Sequence, residues 1–357
     1  MEIDATWKGL PDKFKESVVK VLDFKSRCAL KKCSVADYTM VDLVPINTRR
    51  LALTVYQRSI VFFIGPEKIE YFHVHPQDTR PMIIEYTAKL GDGPIKKVFP
   101  GIVSADLDYA VRDFAQAIQH VDASFDKVDF QFAEGINPER AELLSRKLVG
   151  QLNRMKPEWT LKAHCFYTNF VISGQTMLYL ISKLDPHYLQ HLRIKHITLN
   201  QNQVRELTNM SQWNNAQSLY VEEKTEIPVR CFSHVETFWT KTDFRLPLEA
   251  WNVIQNYIAR NPPHGSYFYV ESDAPINYAR ILDAGHVQIA INIIRTPWQD
   301  SLIQHSQAFN LATRNNVLLV LFMEHAITGR VCRTDSYVDD SMKFYTGYTF
   351  EPTLANR

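Results

Sequence analysis

The chain has 357 residues, of which 45% are hydrophobic and 22% charged, and its formal net charge is +1. That ordinary balance offers no general electrostatic pull toward nucleic acid or anionic lipid. The longest apolar runs, such as 317–323, are far too short to span a bilayer.

The five cysteines are odd in number and scattered, which argues against a disulfide framework and suits a reducing compartment. The opening MEIDATWKG has no basic region followed by an apolar core. No secretory signal is expected, and the expected location is the cytoplasm or nucleus.

Residues 12–22 place Phe14, Val18, Val21 and Leu22 on one helical face, with Pro11 suited to the first turn. Ser26 is expected to cap a second short helix through Cys28 and Leu30. Ser34 and Asp37 have the spacing of a capping box that opens a third helix over 35–41, which Pro45 closes. Three short helices therefore occupy 7–45.

From 48 to 104 the texture turns to β-branched and aromatic residues. The segments 51–56, 59–64, 69–75 and 82–86 read as antiparallel strands, broken by Gly65-Pro66 and Gly91-Asp92-Gly93-Pro94. From 105 to 330 helices alternate with strands: helices over 107–120, 138–155, 175–184, 204–210 and 248–260, and strands over 127–132, 161–166, 193–199, 218–221 and 235–240. Further strands are expected over 267–270, 287–293 and 317–322, with a helix near 299–312. The tail, 331–357, is polar and irregular.

Strand onsets near 128, 161 and 194 recur at one interval, as in an irregular leucine-rich-repeat-like α/β solenoid. An ordinary parallel α/β sheet would give similar spacing. The expected class is thus α+β or α/β: a small three-helix unit, a β-rich segment and an α/β domain.

No phosphate-binding, dinucleotide-binding, metalloprotease, CxxC or nucleophile-elbow motif occurs. His73 and His75 share one side of a strand but lack a third ligand, and His187 and His191 lack a glutamate base. Asp339 and Asp340 read as a solvated loop. Cys165 and Cys231 read as inert core thiols. Catalytic, cofactor and metal residues are accordingly none. The Lys31-Lys32 and Arg49-Arg50 cluster is too modest to argue for nucleic acid.

Two stretches carry a resemblance. Trp7-x-x-Leu10-Pro11, Val18-x-x-Val21-Leu22-Asp23-Phe24-Lys25-Ser26-Arg27, Lys32-Cys33-Ser34 and Val41-Asp42 together resemble the F-box of nematode F-box proteins. Ser211-Gln212-Trp213-Asn214-Asn215-Ala216-Gln217-Ser218-Leu219, with Cys231-Phe232-Ser233-His234, resembles the Gln-Trp signature of the nematode FTH domain, expected over about 140–260. Ser211, Asn214 and Val235 depart from that pattern.

The resemblance implies a non-enzymatic substrate-recognition adaptor of an SCF-type ubiquitin ligase. Its F-box would dock on a Skp-type adaptor, and through it on a cullin, while the C-terminal domain recruits an unidentified protein target. Neither nucleic acid nor membrane is implied. The alternatives are a binding scaffold that engages no ligase and, more remotely, an α/β enzyme.

Leu10, Pro11, Phe14, Val18, Val21, Leu22 and Leu30 are the expected adaptor-binding set. They form an apolar surface on a unit too small to bury it alone. Each is worth roughly 1.5–3 kcal/mol when covered, before the costs of binding. The same residues could instead pack against the chain's own β region. Trp213 reads as a core anchor more than as a target contact.

Overall fold

Pro11 stands at the N-cap with φ of −58°, and α1 (Asp12–Val21) starts directly after it. Its missing amide costs nothing there. Helix α2 (Phe24–Leu30) is capped by Asp23, whose carboxylate accepts the Ser26 N–H at 2.6 Å. This corrects the expectation that Ser26 itself caps the helix: the extended backbone at Asp23 puts the cap three residues earlier. The capping box at α3 (Val35–Leu43) forms as expected, with Ser34 Oγ accepting the Asp37 N–H at 3.1 Å. Val19, Val41 and Val44 make the small core, with Trp7, Leu30 and Met40 packed against it.

In the computed structural model the described residues are 7–72, 82–87, 95–99, 105–118, 123–154, 159–169, 173–244, 246–289, 303–313 and 315–334. They fall into two compact units. The first runs to Thr198 and includes Arg205–Ala216; the second holds Leu199–Val204 and the described residues from Gln217 onward.

In the first unit the helices lead into an antiparallel meander: β1 (Asn47–Val55), β2 (Ser59–Ile64), β3 (Glu67–Phe72), β4 (Met82–Thr87) and β5 (Ile95–Phe99). Gly65, at φ +58°, closes the turn between β2 and β3, and a Cβ there would overlap Thr48 Oγ1. The chain then alternates through α4 (Ala105–Ile118), β6 (Ser124–Phe132), α5 (Pro138–Asn153), β7 (Lys162–Thr168), α6 (Gly174–Ser182) and β8 (His191–Ile194). The strand order is β8-β7-β6-β1-β2-β3-β4-β5, and β1, β6, β7 and β8 are mutually parallel neighbours. Phe24, Phe62, Phe114, Phe130 and Phe166 form a continuous run of ring contacts with centroids 5.0–6.2 Å apart.

The strand expected over 193–199 is shorter and earlier. Its pairing stops at Ile194, opposite Thr168 where β7 ends, while Ile197 and Leu199 are buried from irregular backbone. Strand onsets at Ser124, Lys162, His191 and Ser218 are unevenly spaced, so the single repeat interval does not hold.

Helix α7 (Gln201–Asn209) is divided between the units, and α8 (Ser211–Asn215) belongs to the first. The second unit continues with β9 (Ser218–Lys224), a 3₁₀ turn at Val229–Phe232, β10 (Thr237–Lys241), α9 (Pro247–Arg260), β11 (Tyr267–Glu271), α10 (Tyr278–Ala284), β12 (Ile303–Asn310), β13 (Asn316–Met323) and β14 (Ala326–Arg333). Its strands run β12-β13-β14-β11-β10-β9, with β9, β10 and β11 parallel and the others antiparallel. Phe232, Phe238, Tyr257 and Phe268 stack at its centre.

Three expectations fail here. The segment near 299–312 is not helical where described: it forms β12, held by seven cross-strand pairs to β13. Strand pairing overrides the local pattern because the buried residues His305, Ser306 and Gln307 are polar and give no apolar alternation. Val287–Ile289 lie outside any strand, and the remainder of 287–293 falls outside the described residues. The tail assignment is wrong over 331–333, which finish β14; the residues after 334 are outside the described ones. An α/β architecture accounts for the whole described chain, and no described helix is long and apolar enough to cross a membrane.

Candidate interaction surfaces

Arg27 holds the three-helix unit together. Its guanidinium is buried and donates to the carbonyls of Lys20, Leu22, Val44 and Pro45 at 3.2–3.4 Å, closing α1, α2 and the exit of α3 around one side chain. Helix α2 is also tied to the meander. The Phe24 N–H donates to Glu67 Oε1 at 2.7 Å, the Phe24 ring meets Phe62 edge-on, and Lys25 pairs with Asp113 at 2.6 Å. The Tyr71 hydroxyl donates to the same Asp113 carboxylate. Burial pushes the Glu67 carboxyl above its usual range, although the Phe24 N–H and the Tyr86 hydroxyl oppose the shift.

With α2 turned inward, α1 and α3 carry the outward apolar surface. Of the expected set, Pro11, Phe14 and Val21 are exposed, while Leu10, Val18, Leu22 and Leu30 are half-buried. The ring that packs on Phe62 is that of Phe24, which lies outside the set. Val19, also outside it, is the buried residue of α1. Three residues join that surface unanticipated: Val35, Tyr38 and Leu43 on α3. Exposure of the five large apolar side chains on α1 and α3 runs from 52% at Tyr38 to 84% at Val35. Their spacing gave no signal of that exposure, since Tyr38 and Val41 lie three residues apart on one helix and only Val41 is buried.

The Gln-Trp signature lies inside the fold. Trp213 is buried, and Gln212 Nε2 donates to the Leu184 carbonyl at 2.8 Å and the Ser182 carbonyl at 3.2 Å. Ala216, Leu219, Phe232 and Val235 are buried too. These residues hold the structure together; they do not present a binding face.

Groups with chemical potential are few among the described residues, where no three His, Cys, Asp or Glu side chains gather to hold a metal. His73, His75, Gly91–Pro94, Asp339 and Asp340 fall outside the described residues. His187 is exposed, and burial lowers the pKa of His191. Burial pushes the Cys165 and Cys28 thiols up to about 11 and raises that of Cys231, so these thiols are protonated at neutral pH.

A cleft of about 370 Å³ lies in the second unit beside the first turns of α9, bordered by Lys224, Arg230, Asp243, Glu249 and Asn252. Lys224 is already held by Asp243 at 2.6 Å and Asp273 at 2.9 Å, which raise its pKa.

Compared with known protein families, residues 150–285 match the FTH domain. The match starts and ends later than the expected 140–260, running from within α5 to the end of α10. No curated protein matches the chain.

Proposed function

We propose that the protein is a non-enzymatic substrate-recognition adaptor of an SCF-type ubiquitin ligase. In this reading the three-helix unit over 7–45 is an F-box that docks on a Skp-type adaptor, and through it on a cullin. The α/β remainder, with the FTH domain, recruits a protein target.

The observation that carries the reading is the outward apolar surface of α1 and α3. Five of the twelve exposed large apolar side chains among the described residues lie within Asp12–Leu43. That concentration is typical of a surface that a partner covers. The FTH match supplies the second support, since it follows the helices in the order that the resemblance implies. Adaptors of this kind act by proximity, holding a target near a charged conjugating enzyme.

A repeat-like architecture belongs to the same reading. β6, β7 and β8 are neighbours in chain order, and the helices that precede each of them pack on one another, α4 on α5 and α5 on α6. Such stacking favours an extended binding surface.

Co-purification of the full chain with a Skp-type adaptor tests the proposal. The wild type is expected to retain the adaptor, and the Val21→Asp/Val35→Asp double variant, altered only at exposed positions, is expected to lose it. If no adaptor is retained, or the variant retains it equally, the protein is a scaffold outside the ligase.

A further inference from the structure

The cleft beside α9 lies outside the carboxyl ends of the parallel strands β9 and β10. Open α/β sheets take their ligands at that end. The floor of the cleft holds hydroxyls with unspent hydrogen bonds. Thr242, just past the end of β10, lines it and keeps only 9% of its surface exposed, and its hydroxyl makes no hydrogen bond among the described residues. Thr225 is also buried there. Its Oγ1 accepts the Ile227 N–H at 3.1 Å, which leaves the hydroxyl proton to give. Two residues back on β10, Thr240 Oγ1 is buried without a partner among the described residues. Buried side-chain polar atoms are mostly paired, so this concentration calls for an explanation.

Helix α9 supplies one wall. Asn252 and Asn256 stand one turn apart, on the face that also brings Val253 to the cleft. Neither carboxamide has a partner among the described residues. Each offers donors and an acceptor in one plane. The connection from β9 to β10 supplies the rim, with Glu226 and Arg230 exposed on it.

The charges do not select an ion. Lys224 is held by Asp243 and Asp273, and Glu249 has an interaction of its own. The charged lining groups without an ion-pair partner among the described residues are Arg230 and Glu226. They are opposite in sign and four residues apart, so they leave no surplus of either charge.

We infer that this cleft binds an uncharged sugar of one or two rings. A sugar ring carries hydroxyls around its whole perimeter, each both donor and acceptor, and C–H groups on its two faces. The cleft answers with hydroxyls on the floor, carboxamides on one wall, the Arg230 and Glu226 side chains at the rim, and an apolar patch of Pro228, Val229 and Val253. An extended peptide offers its N–H and C=O groups along a single line, which would leave the floor or the wall unmatched. The volume of about 370 Å³ falls within the roughly 300–1,000 Å³ of small-molecule sites. The inference goes beyond the adaptor reading and does not depend on it, because the binding needs no ligase component.

The test is saturation-transfer-difference NMR of the purified full chain with the methyl glycosides of glucose, mannose, galactose and N-acetylglucosamine. Controls are glucose 6-phosphate, glucosamine and tetraglycine. At least one glycoside is expected to bind saturably, and the phosphorylated sugar, the amino sugar and tetraglycine to bind more weakly or not at all. Thr242→Val replaces an unpaired hydroxyl by a methyl group of the same shape, so an unchanged or raised melting temperature is expected together with an affinity loss of about tenfold. Asn252→Ala/Asn256→Ala, altered at positions open to solvent, is expected to lose at least as much. Absence of binding by every glycoside, or unchanged affinity in either variant with native circular dichroism, would overturn the inference. Tighter binding of a charged sugar would overturn it in favour of an ion-selective site, and binding of tetraglycine alone in favour of a peptide cleft.

Discussion

The Arg27 guanidinium reaches the Val44 carbonyl at 3.2 Å, so a side chain on α2 satisfies the backbone where α3 ends. Three further carbonyls accept from the same group. Removing it strands acceptors that lie around a buried site. Arg27→Ala is expected to destabilise the protein by about 3 kcal/mol, within the range for hydrogen bonds to a charged group plus the desolvation left behind. Urea unfolding checks this, and Arg27→Lys should recover only part of the loss, because a single ammonium cannot span the fork.

Glu67 gives a pH signature. Burial raises its folded-state pKa above the ordinary 4.5, so the folded protein holds that proton more tightly than the unfolded chain does. The resulting contribution to stability is complete below about 4.5 and is lost as pH rises through the raised value. The stability of the wild type relative to Glu67→Gln is therefore expected to increase as pH falls from neutral and to level off below about 4.5. Paired denaturation curves across that window measure it, and a difference independent of pH would refute it.

Two glycines should answer in opposite directions. A Cβ at Gly329 in β14 would overlap the Phe268 ring, whereas a Cβ at Gly150 in α5 meets nothing within 4 Å. Gly329→Ala is expected to lower stability by about 1–3 kcal/mol through overpacking. Gly150→Ala should raise it by about 0.5–1 kcal/mol through helix propensity. Thermal melts of the two variants separate these effects.

The cysteines should alkylate in order of exposure and thiolate content. Cys33 is exposed, while burial lifts Cys28 and Cys165 from 9.0 to about 11. That lowers their thiolate fraction about a hundredfold. Iodoacetamide labelling at neutral pH, followed by mass spectrometry, is expected to modify Cys33 well before the other two.

Much of this architecture was legible where local chemistry and tertiary packing agree. Ser34 and Asp37 announce α3 through a side-chain cap that needs no distant partner, and the apolar spacing of Ala141, Leu144, Leu148 and Leu152 marks α5. Reading failed where a distant strand supplied the order. β12 buries His305, Ser306 and Gln307, and only β13 makes that a strand. The apolar surface was half legible for a related reason. Val35, Tyr38, Val41 and Leu43 are equally apolar in sequence, and only the packing of Val41 against Val19 separates inside from outside.

The ties from Phe24 to Glu67 and from Lys25 to Asp113 have a consequence for reach. A helical module on a loose tether explores a sphere, and whatever it carries meets its counterpart by chance encounter within that volume. Here α2 is buttoned to β3 and α4, so a protein seated on α1 and α3 would keep one bearing toward the parallel strands β1, β6, β7 and β8. Which part of that sheet the guest can reach is then a matter of angle and handedness, built in before it arrives.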